Sequence, residues 1–243
     1  MSNIHKIQMI VAPNTIETVC TSNIGRSEPM RLLVQKFLNE HGIQDIYRAI
    51  SSGTHVDVIK SGNFDSSKMI TDMINFGLKR GDVYDSMDEK NLNFLMQSGK
   101  IEHLIPYFEI AVKKFGQEEY QYREEAIKTF GIAKVRDLKH NQGGIYQDQT
   151  VAWNDRKAVF TAGRKHHDFV VNAYADAGVN LSGMKPVIAV LPAYAHGNPN
   201  LEYENCFGKG KDNYFSLIER MLVDVPMAMN KFLRNELATG KHF

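Results

Sequence analysis

The stretch Val19-Cys20-Thr21-Ser22-Asn23-Ile24-Gly25-Arg26-Ser27 joins the end of one apolar segment to the start of another. Residues 16–20 are short, apolar and β-branched, which predicts a strand that ends at Cys20. Residues 28–39 carry apolar side chains at the spacing of an amphipathic helix, and Ser27 is placed to cap that helix. The stretch is therefore predicted to form a strand–loop–helix connection.

Segments on both sides of this connection continue an alternation of strands and helices. Residues 45–52 predict a second strand that stops at Gly53, giving the strand–helix–strand start of a parallel α/β sheet. The alternation returns later in the chain with further segments: strand 157–162, helix 164–177, strand 185–191 and helix 213–235. Residues 7–12, before Pro13, predict one more short strand. The fold class is predicted to be α/β.

The middle of the chain has a different pattern. Four helical segments follow one another without a strand between them, at residues 67–78, 87–96, 102–115 and 118–130. A polar, glycine-containing loop occupies residues 140–149. We expect a single domain over residues 1–243, with residues 60–118 forming a helical subdomain inserted within it.

Composition excludes several classes of protein. The 243 residues carry 29 Lys and Arg against 28 Asp and Glu, so no excess of positive charge marks a protein that binds a nucleic-acid polymer. No apolar run approaches the roughly 18 residues of a membrane span, so we expect no membrane association and a cytoplasmic protein. Cys20 and Cys206 are too few for a disulfide framework or a zinc site. His166 and His167 are expected at a helix surface, and neither a metal nor a cofactor is predicted.

The loop between Cys20 and Ser27 has the composition of an anion site. The backbone N–H groups of Thr21, Ser22, Asn23, Ile24 and Gly25 are expected to point inward at the positive end of the following helix, where they bind a tetrahedral dianion. Arg26 adds a planar fork that matches two phosphate oxygens. The same positive surroundings favour the thiolate of Cys20, which attacks phosphorus.

Three residues of this stretch have further expected roles. Ser27 is expected to hydrogen-bond the sulfur and to steady the thiolate as attacker and leaving group. Asn23 is expected to tie the loop together through its amide. Gly25 is expected to allow a tight turn.

At these residues the sequence resembles the low molecular weight protein tyrosine phosphatases and the related arsenate reductases. Residues 19–27 resemble the phosphate-binding loop of that family, residues 47–54 resemble its second strand, and residues 200–208 resemble its Asp-Pro-Tyr loop. The likeness covers about residues 15–54 and 122–235. It implies a four-stranded parallel sheet flanked by helices, and metal-free hydrolysis of a phosphomonoester through a cysteinyl phosphate on Cys20.

The chain departs from the family pattern at the general acid. The aspartate of the Asp-Pro-Tyr loop corresponds to Asn205, which cannot donate a catalytic proton, and Cys206 follows in place of proline. Other acids near it in sequence are expected to serve instead, namely Glu204, Asp212, Glu202 or His196. Phe207 takes the family's aromatic position and is expected to form one wall of the pocket. Many relatives have a second cysteine where Gly25 stands, so Cys206 is expected either as a quiet buried thiol or as a disulfide partner of Cys20.

The substrate stays open at this stage. The resemblance implies a phosphoprotein carrying phosphotyrosine, whereas the inserted helices and Asn205 suggest a small phosphate ester such as a nucleoside 5′-monophosphate stacked on Phe207. A third alternative is a catalytically weak module that binds a phosphorylated ligand without turnover, which Asn205 favours. Arsenate reduction needs resolving cysteines and ranks last, because only Cys206 is available. The oligomeric state is not predicted.

Overall fold

Four strands lie in the residues that the structure describes, and they form one parallel sheet. The computed structural model describes residues 14–56, 67–132, 156–178 and 186–238, so the predicted strand 7–12 and the polar loop 140–149 lie outside the described residues. The strands are β1 (Asn14–Cys20), β2 (Tyr47–Gly53), β3 (Arg156–Thr161) and β4 (Val187–Val190), in the spatial order β2-β1-β3-β4. This arrangement confirms the predicted parallel α/β sheet.

Seven α-helices lie in the described residues: α1 (Ser27–Glu40), α2 (Ser67–Arg80), α3 (Ser86–Ser98), α4 (Ile105–Thr129), α5 (Arg164–Asp176), α6 (Leu191–His196) and α7 (Lys211–Ala238). Two predicted helices, 102–115 and 118–130, are in fact the single helix α4, because Gly116 continues the helical backbone. The short helix α6 was not predicted. None of the helices that the structure describes has the length and apolar character needed to cross a bilayer.

Parallel pairing brings the ends of the strands to one edge of the sheet. Cys20 lies beside Gly53 in the register of β1 and β2, and Val19 lies beside Thr161 in the register of β1 and β3. The loops that follow these strands therefore leave from the same edge. In open α/β sheets this carboxyl edge is where ligands bind.

The sheet has a packed layer of helices on each face. One face, with Ile16 and Phe160, shares its core with α1 and α7, which contribute Met30 and Phe232. The other face carries Val19 and Val159 against Val170 and Tyr174 of α5. Because strand side chains alternate between two packed layers, β1 is buried nearly throughout.

Helices α2, α3 and α4 enclose a core of their own. Its buried side chains include Ile70 and Ile74 of α2, Leu92 of α3, and Phe108 and Phe115 of α4. Further along α4, Ala126 and Ile127 belong to the main core instead. Helices α2, α3 and α4 are called the helical layer below, and α4 joins this layer to the sheet. The description of residues 60–118 as an inserted subdomain stays a prediction.

A buried ion pair connects the two central strands. Arg156 Nε of β3 donates to Glu17 Oε2 of β1, and the two side chains are 0% and 2% exposed. Ser52 Oγ of β2 donates to the other oxygen of Glu17 at 2.5 Å. Removing one member of such a pair leaves the other charge buried, which typically costs about 3–5 kcal/mol.

We therefore expect Glu17→Gln to lower the free energy of unfolding by about 3–5 kcal/mol in urea titrations near pH 7. The matched control is Asp72→Asn, which breaks the exposed i,i+4 pair with Lys68. Exposed pairs of this kind contribute about 0.5 kcal/mol or less, so this variant should unfold close to the wild type. Equal losses in the two variants would contradict the role given to the buried pair.

Candidate active site

Cys20 lies at the last position of β1 and is only 2% exposed. Its Sγ lies 3.1 Å from Ser27 Oγ, so the predicted hydrogen bond between serine and sulfur is present. Ser27 Oγ in turn donates to Asn23 Oδ1 at 2.9 Å. A hydroxyl has a single proton to donate, so in this arrangement the thiol donates to Ser27. When the thiol ionises, the same proton can turn toward the sulfur and stabilise the thiolate.

The sharp turn of the loop is made by Asn23 rather than by Gly25. Asn23 adopts a φ of 58°, in the left-handed region that asparagine tolerates better than most residues. Its amide Nδ2 donates to Ser51 O at 3.3 Å, which ties the loop to β2 as expected. Gly53 allows this close packing, because a Cβ there would lie 2.6 Å from Thr21 O.

Ser27 does not cap the helix, contrary to the prediction. Helix α1 begins at Ser27 itself, the residue at the N-cap position is Arg26, and no side-chain hydrogen bond caps the helix. The reason is that the Ser27 hydroxyl is taken by the sulfur and by Asn23.

The Arg26 side chain is held by the segment that precedes α7. Its Nη1 donates to Tyr203 O at 3.1 Å, and Tyr203 N donates to Ala162 O at 2.9 Å just beyond β3. The guanidinium is thereby fixed by backbone groups. This leaves its remaining N–H groups available to an anion in the loop.

A histidine that the sequence placed at a helix surface is instead buried beside the loop. His166 of α5 is 8% exposed, and its Nε2 lies 2.9 Å from Thr21 Oγ1. Burial, together with the charge of Arg26, lowers the pKa of His166 to about 4, so the ring is neutral near pH 7. A neutral imidazole holds Thr21 without adding charge.

A cavity of about 240 Å³ opens above this loop. Its floor consists of Cys20, Thr21, Ser22, Gly25 and Arg26. Its walls are largely apolar and come from α2, α4 and the segment before α7, through Met69, Met73, Phe108, Val112 and Phe207. The helices of the middle segment thus cover the loop rather than lying apart from it.

One acidic side chain lies among these walls and was not singled out from the sequence. Glu119 of α4 lines the cavity and is 5% exposed. Its carboxyl group packs on Gly25, where a Cβ would lie 2.8 Å from Oε2 and closer still to Oε1. Burial raises the pKa of Glu119 above the usual carboxyl range, although Cys206, Arg26 and Arg123 act in the opposite direction. Gly25 therefore provides room for a carboxyl group, which is a different role from the expected turn.

Cys206 is a buried partner of this carboxyl group. Its thiol donates to Glu119 Oε1 at 3.3 Å. Burial, and then the neighbouring Glu119, raise the pKa of Cys206 well above its usual value. Both cysteines are free thiols. Thiol–disulfide exchange requires a thiolate, which the raised pKa of Cys206 disfavours. This favours the expectation of an unreactive buried thiol over that of a disulfide partner of Cys20.

The four proton donors proposed from the sequence lie outside the cavity lining. Glu204 is exposed and lies 3.7 Å from Lys209, and Asp212 is exposed at the start of α7. Glu202 Oε2 accepts from Arg164 N at 3.1 Å, and His196 Nε2 lies 2.7 Å from Asp224 Oδ1. Asn205, which was expected in the place of the family's aspartate, does line the cavity.

The segment that carries Asn205 and Phe207 is anchored to the helical layer. Phe207 packs edge-on against Phe115 of α4, with ring centroids 5.7 Å apart. Arg80 of α2 donates to Gly208 O at 3.4 Å and is itself held by Glu118 at 2.7 Å. The expected position of Phe207 as a wall of the cavity thus depends on contacts with α2 and α4.

The described residues contain no group of three or more His, Cys, Asp or Glu side chains placed to bind a metal ion. No protein-family model matches the chain, and no curated protein matches it in sequence. Solved structures do match. A YwlE mutant from Bacillus subtilis is 14% identical with a TM-score of 0.50, and the match covers 91% of this chain and 99% of that one.

Two further solved structures are similar. The YwlE arginine phosphatase from Geobacillus stearothermophilus is 13% identical with a TM-score of 0.51, over 95% of this chain and 100% of that one. A low molecular weight protein tyrosine phosphatase from Bacillus subtilis is 13% identical with a TM-score of 0.47, over 91% and 98%. The two YwlE structures confirm the expected fold, a four-stranded parallel sheet flanked by helices of the low molecular weight phosphatase type.

The close packing of Gly25 on Glu119 can be tested by a double-mutant cycle. Gly25→Ala should lower the free energy of unfolding by about 1–3 kcal/mol, because its Cβ overlaps the carboxyl group. In a Glu119→Ala background the same change should cost far less, since the space is then vacant. Urea unfolding of the four proteins measures the coupling.

The matched control is Gly116→Ala, in the same helix as Glu119, where a Cβ meets nothing within 4 Å. This change should stabilise the protein by up to about 1 kcal/mol through helix propensity. A cost of Gly25→Ala that is equal in both backgrounds would contradict the packing described.

Proposed function

We propose that the protein is a phosphoric monoester hydrolase that uses Cys20 as its nucleophile. The observation that supports this most directly is that Cys20, Arg26 and the loop between them form the floor of one cavity at the carboxyl edge of the sheet. The similarity of the fold to the YwlE arginine phosphatase supports the same class of reaction.

The proposed reaction has two steps. The Cys20 thiolate attacks phosphorus, a sulfur–phosphorus bond forms, and the bond to the leaving oxygen breaks as that oxygen takes a proton. Water then attacks the cysteinyl phosphate, gives up a proton, and releases inorganic phosphate with the thiolate restored. The loop N–H groups of residues 21–25 and the Arg26 guanidinium stabilise the charge on the transferred phosphoryl group. Ser27 stabilises the thiolate before attack and after release.

The lining of the cavity favours an aryl phosphate such as phosphotyrosine, free or in a protein. Apart from Glu119 and Asn205, the walls beyond the loop are apolar. They consist of Met69, Met73, Phe108, Val112 and Phe207, which offer contact area but no hydrogen bonds to a base or sugar. A nucleoside 5′-monophosphate is the second candidate, because the ring of Phe207 could stack on a base. A binding module without turnover is the third, and Asn205 is the feature that favours it.

The nucleophile is tested with an activated aryl phosphate, whose leaving group needs little help from an acid. We expect metal-independent turnover between pH 5 and 8 that survives a chelator and disappears in Cys20→Ser. Arg26→Lys should lower kcat by about 10²- to 10³-fold, because a point charge replaces a planar fork in the transition state. Thermal unfolding of each variant checks that the fold is intact.

Two results would count against this assignment. Turnover that persists in Cys20→Ser would exclude a cysteinyl phosphate. Tight binding of the aryl phosphate by wild type and Cys20→Ser, with turnover by neither, would establish the binding module instead.

The leaving group is tested with a panel of phosphates at equal concentration. The kcat/KM for an aryl phosphate should exceed the values for nucleoside 5′-monophosphates and phosphoarginine by about tenfold or more. The aryl group can pack on the apolar walls, whereas the other two leaving groups would bury polar atoms there without hydrogen-bond partners. A higher kcat/KM for a mononucleotide would move the assignment to a nucleotide phosphatase. A preference for phosphoarginine would move it to the activity named for the Geobacillus structure.

A further inference from the structure

The proposed reaction needs a proton donor for the leaving oxygen, and the cavity lining holds one carboxyl group among the described residues. Asn205 occupies the position that matches the family's acid, and its amide cannot donate a catalytic proton. Glu204, Asp212, Glu202 and His196 lie outside the lining. Glu119 is therefore the acidic side chain that shares a cavity with Cys20 and Arg26.

We propose that Glu119 is the general acid and base of this site, supplied by α4 in place of the aspartate that the Asp-Pro-Tyr-like segment lacks. The proposal rests on the proposed function, because a general acid requires the Cys20 reaction. It would make Glu119 a catalytic residue that touches the leaving oxygen, and it gives the middle helices a chemical role as well as a covering one.

Two contacts fix the carboxyl group at this position, and a third holds the loop residue on which it packs. Gly25 has no side chain, so the carboxyl group lies directly on the loop that binds the phosphoryl group. The Cys206 thiol donates to Oε1, which leaves Oε2 to carry the proton that is transferred. Tyr214 of α7 donates to Gly25 O at 2.9 Å and holds the same loop residue from its carbonyl side.

The surroundings suit a carboxyl group that changes protonation state during the cycle. Burial favours the neutral, proton-carrying form before attack, and it raises the pKa of the group. After donation, the Cys206 thiol and the charges of Arg26 and Arg123 stabilise the carboxylate that results. The carboxylate then accepts the proton of the water that attacks the cysteinyl phosphate, which returns Glu119 to its starting form. Protons and bonds therefore balance over the two steps.

The decisive experiment compares two aryl phosphates that differ only in the acidity of the leaving phenol. Glu119→Gln keeps the size of the side chain and an acceptor for Cys206, but it cannot donate a catalytic proton. With a poor leaving group, such as phenyl phosphate, kcat/KM should fall by about 10²- to 10⁴-fold. With an activated nitrophenyl phosphate the fall should be far smaller, because that leaving group departs without protonation. The control Glu109→Gln, an exposed position on the same helix, should change neither value.

The pH profile gives a second readout. In the wild type, kcat/KM for phenyl phosphate should decline as pH rises through the pKa of Glu119, and this decline should be absent in Glu119→Gln. The ionisable groups that face Glu119 come from every element packed against it: Cys20 and Arg26 in the loop, Cys206 before α7, Tyr214 in α7 and Arg123 in α4. Of these, Cys206 and Tyr214 have raised pKa values, so they stay protonated over the range measured.

Each other outcome overturns the proposal. Equal losses for both leaving groups in Glu119→Gln would show a structural role, and no loss for either would show no role. If Glu119→Gln fails to fold, Glu119→Asp replaces it in the experiment. This variant keeps a proton donor, so the ratio of its kcat/KM values for the two aryl phosphates should stay close to that of the wild type. Absence of any Cys20-dependent turnover in the wild type would instead overturn the proposed function itself, which the activated substrate reveals separately.

Discussion

A chain of hydrogen bonds closes the loop that follows β1, and the site is built on it. The chain runs from Cys20 Sγ to Ser27 Oγ, then to Asn23, whose amide reaches the backbone of β2 at Ser51. It joins the end of β1, the first residue of α1 and the end of β2 through side chains that are all buried. Buried polar groups without partners are costly, so the loop has few other ways to satisfy them. The same bonds that stabilise the strand–loop–helix connection thus position Cys20, the proposed nucleophile.

This chain of hydrogen bonds involves β1, β2 and α1, while Arg26 is fixed by Tyr203 O. The helical layer takes no part in it and covers the site instead, with Glu119 of α4 packed on Gly25. Helices α2 and α4 add apolar walls, and they hold the segment of Phe207 through Phe115 and Arg80. A change among the apolar side chains of these helices therefore alters the cavity walls, whereas the hydrogen bonds among Cys20, Ser27, Asn23 and Ser51 do not involve them. The loop at the base of the cavity and the apolar walls above it can therefore vary separately.

Much of this could be predicted from the sequence because it depends on local pattern. The strand before Cys20, the helix after Ser27 and the later alternation are set by hydrophobic periodicity, and all were predicted within a few residues. The burial of His166 could not be predicted, because its contact with Thr21 spans 145 positions of the chain. Glu119 did leave a signal. It falls in the buried seam of α4, with Phe108, Ala111, Phe115 and Ala126. The predicted end of a helix near Gly116 separates Glu119 from this apolar stripe, whereas the continuous helix α4 places it on the stripe.

Two unusual positions in the chain have one physical explanation in common. Gly25 and Asn205 are far apart in sequence. Gly25 has no side chain, and Asn205 has no acidic group. The cavity brings both to the carboxyl group of Glu119, which packs on the first and lies in the same lining as the second. A side chain at position 25 would expel this carboxyl group, and an aspartate at position 205 would place a second acid beside it, where two like charges in a low-dielectric site oppose each other. Glycine at position 25 leaves the volume that a carboxyl group from α4 occupies, and asparagine at position 205 adds no second negative charge to the cavity lining.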